Sequence, residues 1–301
     1  MSGEKEKVRD IGEDALVERV LSLLSSTDRV KVGPGDDCAV VEAGPDDWTL
    51  LKTDCLIEGV HFTPGTEPRL VGAKAVNRVL SDLAAMGGRP REALVTLAVD
   101  ENREVEEILG WYSGMEEAAS RFGGTIVGGE TSNLPGGSAV LSVAMTGRVE
   151  PQNCVRRSGA REGDLILVTG RLGGSFESGR HLTFEPRLAQ SRWLVENHCP
   201  SAMMDLSDGL GSDLPRLAKA SGTGYTISPD RIPCEEGVSV ENAIRDGEDY
   251  ELLFTICPEK TGLLMADWAD QFPELSLTII GEISGETPNE LSPGWEHYRQ
   301  S

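Results

Sequence analysis

Apolar, strand-length runs that meet an acidic segment recur along this chain, and they alternate with stretches of helical period. "GPGDDCAVV", "KTDCLIEGVHF", "MMDLSDGLGSDL" and "GEDYELLFT" each join such a run to Asp or Glu, and "VLSDLAAMGG" buries an aspartate in a helical pattern. Residues 68–86, "PRLVGAKAVNRVLSDLAAM", predict a strong helix that Gly87 and Gly88 stop. With the strand "EALVTLAV", the helix "NREVEEILGWYSGMEEAASRF" and the strands "GTIVGGETS" and "SAVLSVAMTGRV", a β/α/β/α/β/β pattern closes near residue 149. A helix within 13–24 precedes it, with Leu16, Val20, Leu23 and Leu24 on one face.

The polar stretch "EPQNCVRRSGAREGD" then opens a second unit. It runs through the strand "LILVTG", the Gly-rich "RLGGSFESG", the helix "PRLAQSRWLVEN", the strand "SAMMDLSDG", a helix to Lys219 and the strand "YTIS". The strand "DYELLFTIC", the helix "KTGLLMADWADQF" and the strand "LSLTIIGEI" complete it. The reading is two α+β halves, residues 1–149 and 150–301, and a length of 301 residues favours two domains over one.

The charge limits what such a chain can bind. It has 28 Lys+Arg against 50 Asp+Glu, a formal charge of −22, which argues against nucleic acid because phosphate backbones need clustered cations. A small phosphorylated ligand stays possible if divalent cations sit between the two sets of negative charge. Four histidines and six scattered cysteines without a CxxC pair argue against a zinc site or a disulfide scaffold, and favour Mg²⁺ over Zn²⁺. No apolar run reaches membrane-span length and the charged N-terminus shows no secretory signal, so a cytoplasmic protein with no membrane partner is expected.

Each acidic segment has two readings. Asp36 and Asp37 are a hydrophilic turn or a ligand set, and on an extended backbone only one of them faces a given ligand. Asp54, in a strand among apolar neighbours, needs a Lys, a backbone N–H or a metal as partner. His61 is a hydrogen-bonded structural histidine or a ligand contact. Arg78 and Asp82, spaced i,i+4, favour a helix salt bridge. Asp205 and Asp208 stand where an apolar strand runs into a helix, with Ser207 as a possible cap. Glu248 and Asp249 precede another strand. Together, without matching Lys or Arg, these carboxylates would repel one another in one cleft unless Mg²⁺ neutralised them. No Walker A motif and no protein-kinase glycine loop is present, so a nucleotide would be held by metals, a few arginines and glycine N–H groups such as those of "VGGE" at Gly129 and Glu130.

The segments "GDDCAVV", "TDCLIEGVHF", "KAVNRVLSDLAAMGGRP", "VGGETS", "RSGAREGDLILVTG", "MDLSDGL" and "GEDYELLFT" resemble the thiamine-monophosphate kinase family, in family order and over roughly residues 10–298. That family lies in the superfamily of aminoimidazole ribonucleotide synthase. The resemblance implies a two-domain fold with an N-terminal ATP- and Mg²⁺-binding domain that dimerises through its sheet, and a C-terminal α/β domain. It implies ATP-dependent phosphorylation of thiamine monophosphate, with several Mg²⁺ ions in a cleft between the halves and a homodimer. By motif, Asp37, Thr53, Asp54, Asp82, Glu130, Asp205 and Asp208 look like metal positions. Tyr112, Gly129, Glu130, Arg157 and Ser207 look like nucleotide contacts, and His61, Glu248 and Trp295 like substrate contacts.

Three residues depart from the family pattern. Glu130 stands for the usual aspartate, Lys52 for a hydroxyl residue, and Gly174 for an aspartate. An inward Lys52 would compete with a metal. Two alternatives follow: another ATP-dependent enzyme of the superfamily with a different substrate, or a non-catalytic nucleotide-binding paralogue. A selenophosphate-forming enzyme fits poorly, because the first cysteine, Cys38, follows "GDD".

Overall fold

A computed structural model describes residues 6–285 and 291–295. The first half contains α1 (Val8–Leu21), β1 (Val30–Val32), β2 (Ala39–Gly44), β3 (Asp47–Ile57), α2 (Pro68–Ala85), β4 (Arg89–Val99), α3 (Val105–Arg121), β5 (Thr125–Asn133) and β6 (Val140–Val149). Its six strands form one sheet in the order β1-β2-β3-β6-β4-β5, with only β4 and β5 parallel. The β6 side chains alternate in burial: Leu141, Val143 and Met145 enter the core under α2 and α3, while Ala144 and Arg148 face out. Leu51, Leu94 and Val127 are exposed on the outer face, which no described element covers.

The helix α2 starts where Glu67 accepts a hydrogen bond from Leu70 N–H and Pro68 takes the first helical position. Gly72 and Gly114 let α2 and α3 approach backbone to backbone. A Cβ at Gly72 would lie 1.9 Å from Trp111 O, and one at Gly114 would lie 2.0 Å from Arg69 O. Val71, Val79, Leu80 and Leu83 are fully buried, each worth about 1.5–3 kcal/mol of apolar burial.

The second half contains β7 (Leu165–Thr169), α4 (Ser175–Ser178), α5 (Arg180–Thr183), α6 (Leu188–Asn197), β8 (Ala202–Asp205), α7 (Leu210–Ser221), β9 (Gly224–Ile227), α8 (Val240–Arg245), β10 (Leu252–Ile256), α9 (Pro258–Gln271) and β11 (Leu277–Ser284). Its sheet runs β8-β10-β7-β11-β9, and every neighbouring pair is antiparallel. Both faces are covered. Ile166, Val168 and Met204 pack with Leu214 of α7, and Leu167, Met203 and Phe254 pack with Leu264 and Trp268 of α9. Asp205 stands at the end of β8, as expected, and that strand belongs to an antiparallel sheet.

Two expectations are corrected. The first helix spans 8–21 rather than 13–24 and breaks at Gly12 (φ 77°), so that Leu23 and Leu24 lie beyond it, and Val20, Leu23 and Leu24 are exposed. The strand expected from Asp249 begins only at Leu252, because Glu248 (φ 63°) and Tyr250 (φ 53°) are left-handed. Among the described residues no helix is long and apolar enough to cross a membrane.

Candidate active site

The helix α2 belongs to both halves. Its apolar face packs on the first sheet, and its polar residues reach the second half: Asn77 Nδ2 donates to Phe184 O at 3.2 Å, and Ser81 Oγ donates to Asp205 Oδ2 at 2.6 Å. Asp82 is the next residue. It meets Asp37, from the turn before β2, and Asp205, at the end of β8, with one carboxylate oxygen of each within 4.8 Å of the others. All three are buried. Burial, with Asp205, Asp54 and Asp37 adding to it, pushes the Asp82 carboxyl well up, although Lys52 opposes the shift. Burial and then Asp37 push Asp205 up as well. Burial and then Asp37 raise Asp36 to about 6.

The expectation that these acids lack cationic partners is wrong. Arg157 Nη2 lies 2.5 Å from Asp37 Oδ1, Lys52 Nζ lies 2.6 Å from Asp82 Oδ1, and Arg78 Nε lies 3.0 Å from Asp54 Oδ2. Arg216 pairs with Asp208. The helix pair expected between Arg78 and Asp82 is therefore replaced by two cross-element pairs, and Lys52 points inward. Adjacent acids on extended chain do diverge: Asp36 accepts the Arg157 backbone N–H at 3.2 Å, while Asp37 enters the cluster.

The three carboxylates suit a hard divalent cation. Asp37 Oδ2 is buried and has no hydrogen-bond partner among the described residues. An all-oxygen donor set matches Mg²⁺, and a divalent charge would offset what Lys52 and Arg157 leave uncompensated.

Beside the cluster lies a cavity of about 740 Å³. It is entered by the chain that follows Asp205, because Ser207 and Asp208 line it together with His61, Arg78, Glu248 and Trp295. Arg78 thus touches the cavity while pairing with Asp54. Glu248 N–H donates to Ser207 O (2.7 Å) and Tyr250 N–H to Leu206 O (2.8 Å), which pins the left-handed segment to the strand end. Such backbone costs about 1–3 kcal/mol per residue and persists where surrounding structure holds it. Trp295 N–H donates to Asp208 O at 2.9 Å, and Gly294 N–H to Ser212 Oγ at 2.9 Å, fixing the C-terminal segment on the cavity wall. His61 Nδ1 accepts Ile57 N–H at 3.0 Å, and the residue also lines the cavity.

Other motif residues stand apart from the cluster. Thr53 alternates with Lys52 and Asp54, so it faces outward, with its hydroxyl 3.5 Å from Ser142 Oγ. Gly129 and Glu130 lie on the exposed edge strand β5, where Glu130 accepts from Ser132 Oγ at 2.6 Å. Tyr112 is half-buried against the first core. Gly174 caps α4 in the left-handed conformation (φ 67°), and its N–H donates to Asp246. Lys74, His181, Tyr250 and Arg245, none of them singled out by a sequence motif, also lie at or just behind the cavity. Lys74, Arg78 and Asp82 recur every four residues along one face of α2, a signal that was available. His181 had none.

Two family models match: AIR synthase related protein, N-terminal domain, over residues 35–149, and AIR synthase related protein, C-terminal domain, over residues 135–292. The two halves, one built on a mixed sheet and the other on an antiparallel one, are of that class. The thiamine-monophosphate kinase of Rhodopirellula baltica is 35% identical over 278 residues, 86% of this chain and 85% of that protein. That of Aquifex aeolicus is 34% identical and covers 97% of this chain and 100% of its own length. The solved structure of AaThiL complexed with AMPPCP and TMP matches with a TM-score of 0.84 at 32% identity, covering 97% of this chain and 99% of that one. The chain belongs to the thiamine-monophosphate kinase family of AIR synthase related proteins.

Proposed function

We propose that this protein transfers the γ-phosphoryl group of ATP to thiamine monophosphate, giving thiamine diphosphate and ADP. One observation carries the reading: Asp37, Asp82 and Asp205, from three remote parts of the chain, meet next to a cavity lined by His61, Glu248 and Trp295. The names of the relatives and the ligands of AaThiL supply the identities of donor and acceptor.

The acceptor is already an anionic phosphate oxygen, so positioning and charge stabilisation carry most of the reaction and no strong base is required. Asp37, Asp82 and Asp205 would hold Mg²⁺, with Asp54 and Asp208 as further carboxylates. Bound Mg²⁺ supplies neutralisation of the two facing phosphate groups. Arg157 and Ser207 are assigned to the nucleotide, Arg157 as a cation beside the polyphosphate. Glu248, His61 and Trp295 are assigned to thiamine, whose cationic ring suits a carboxylate and an aromatic face.

The halves are read as domains of residues 1–149 and 150–301. A homodimer would cover the outer face of the first sheet, with its exposed Leu51, Leu94 and Val127. Thr53, Gly129, Glu130 and Tyr112 keep their metal and nucleotide assignments on the resemblance alone. The six unpaired cysteines support a cytoplasmic location.

Purified protein with ATP, Mg²⁺ and thiamine monophosphate should form ADP and thiamine diphosphate in equal amounts. ATP binding without turnover would instead favour the non-catalytic reading, which the ammonium of Lys52 inside the cluster makes specific.

A further inference from the structure

The side chain of Lys74 is completely buried in α2. Its Nζ lies 2.6 Å from His61 O, 2.7 Å from His181 Nδ1 and 2.8 Å from Glu248 Oε2. Its N–H bonds meet two oxygen acceptors, His61 O and Glu248 Oε2, and the His181 ring nitrogen, whose donor or acceptor role follows its tautomer, closes the group. His181 Nδ1 is in turn 3.1 Å from Glu248 Oε2. The partners come from the turn after β3, from α5 and from the left-handed turn before β10, so one side chain joins both halves. Two of these partners, His61 and Glu248, line the cavity, while Lys74 does not.

A buried ion pair is poor value as a stabiliser, since apolar residues of similar size often do as well. Its worth here lies in geometry. We propose that Lys74 is a positioning residue, which from behind the cavity wall orients Glu248 and the His61 turn and so sets affinity for thiamine monophosphate rather than for ATP. The assignment rests on the substrate reading above. Burial would raise the Glu248 carboxyl, but His181 and Lys74 outweigh it and hold it at about 2, so the group stays a carboxylate.

Steady-state kinetics with each substrate varied in turn tests this. Lys74→Met should raise KM for thiamine monophosphate by about tenfold and leave KM for ATP within about twofold, a loss of roughly 1.4 kcal/mol. In a Glu248→Gln background the same substitution should lose most of its effect, since its partner is already altered. Equal rises in both KM values, or the same fold-change in both backgrounds, would overturn the proposal. A wild-type protein that turns over normally while Lys74→Met matches it defeats the Lys74 assignment alone. A wild-type protein without turnover defeats the substrate reading and this assignment with it. If Lys74→Met does not fold, Lys74→Gln, which keeps a donor for the His61 carbonyl, carries the same comparison.

Discussion

Lys52 Nζ sits 2.6 Å from Asp82 Oδ1, so a strand of the first sheet delivers an ammonium to a helix carboxylate that also faces Asp37 and Asp205. Burial works against that ammonium, but Asp82 and then Asp54 outweigh it and raise its pKa. The cluster therefore carries a built-in positive charge.

Removing that charge strands a buried acid. Lys52→Met should cost about 3 kcal/mol in EDTA, as breaking a buried pair does, and Mg²⁺ should restore more stability to the variant than to the parent. Urea denaturation with and without Mg²⁺ reads both. A loss below about 1 kcal/mol would mean that Asp82 does not depend on Lys52.

Asp205→Asn keeps an oxygen for the Ser81 hydroxyl but removes one charge from a crowded site. Turnover should fall by at least about 10²-fold, the usual scale for loss of a preorganised electrostatic group, while stability in EDTA is unchanged or rises. Parallel loss of both would make Asp205 a structural residue.

The pH dependence of the metal-free protein has a definite sign. Asp36 is raised from 3.8 to about 6, and Asp82 and Asp205 are also raised, so between those pH values the folded state holds protons that the unfolded chain has released. Stability from these groups is present below about pH 4 and is lost as pH rises through about 6. Mg²⁺ should therefore raise the Tm more at pH 7.5 than at pH 5. A Mg²⁺ effect that is flat with pH would argue against ion binding at these carboxylates.

Trp295 is about half exposed on the cavity wall. Trp295→Ala should weaken thiamine monophosphate binding by roughly tenfold, in line with about 1.5 kcal/mol for an aromatic contact, with ATP binding unaltered. Calorimetric titration of each ligand separates the two. A change confined to ATP would reverse the assignment.

Gly72→Ala places a methyl group 1.9 Å from Trp111 O, a contact that only a shift between α2 and α3 can relieve. Destabilisation of about 1–3 kcal/mol is expected, with a matching fall in Tm. A neutral outcome would show that the helix pair has slack.

Which parts of this could be read along the chain follows from distance in sequence. The extent of α2 was readable, because periodic apolar residues, Pro68 at one end and Gly87 beyond the other all act within a few residues of each other. The turn at Glu248–Tyr250 was not, since its left-handed backbone is held by hydrogen bonds to Ser207 and Leu206, some forty residues away. Local spacing also paired Arg78 with Asp82, and tertiary contacts overrode it with Asp54 and Lys52.

By itself, then, the sequence determined the order of strands and helices, the places where acids interrupt apolar runs, and the family motifs, all of which depend on neighbours along the backbone. Only the tertiary structure decided which cation meets which carboxylate, and that Lys74 lies buried between the halves. Electrostatic partners are chosen by separation in space and by loss of water, and neither quantity exists until the chain has packed.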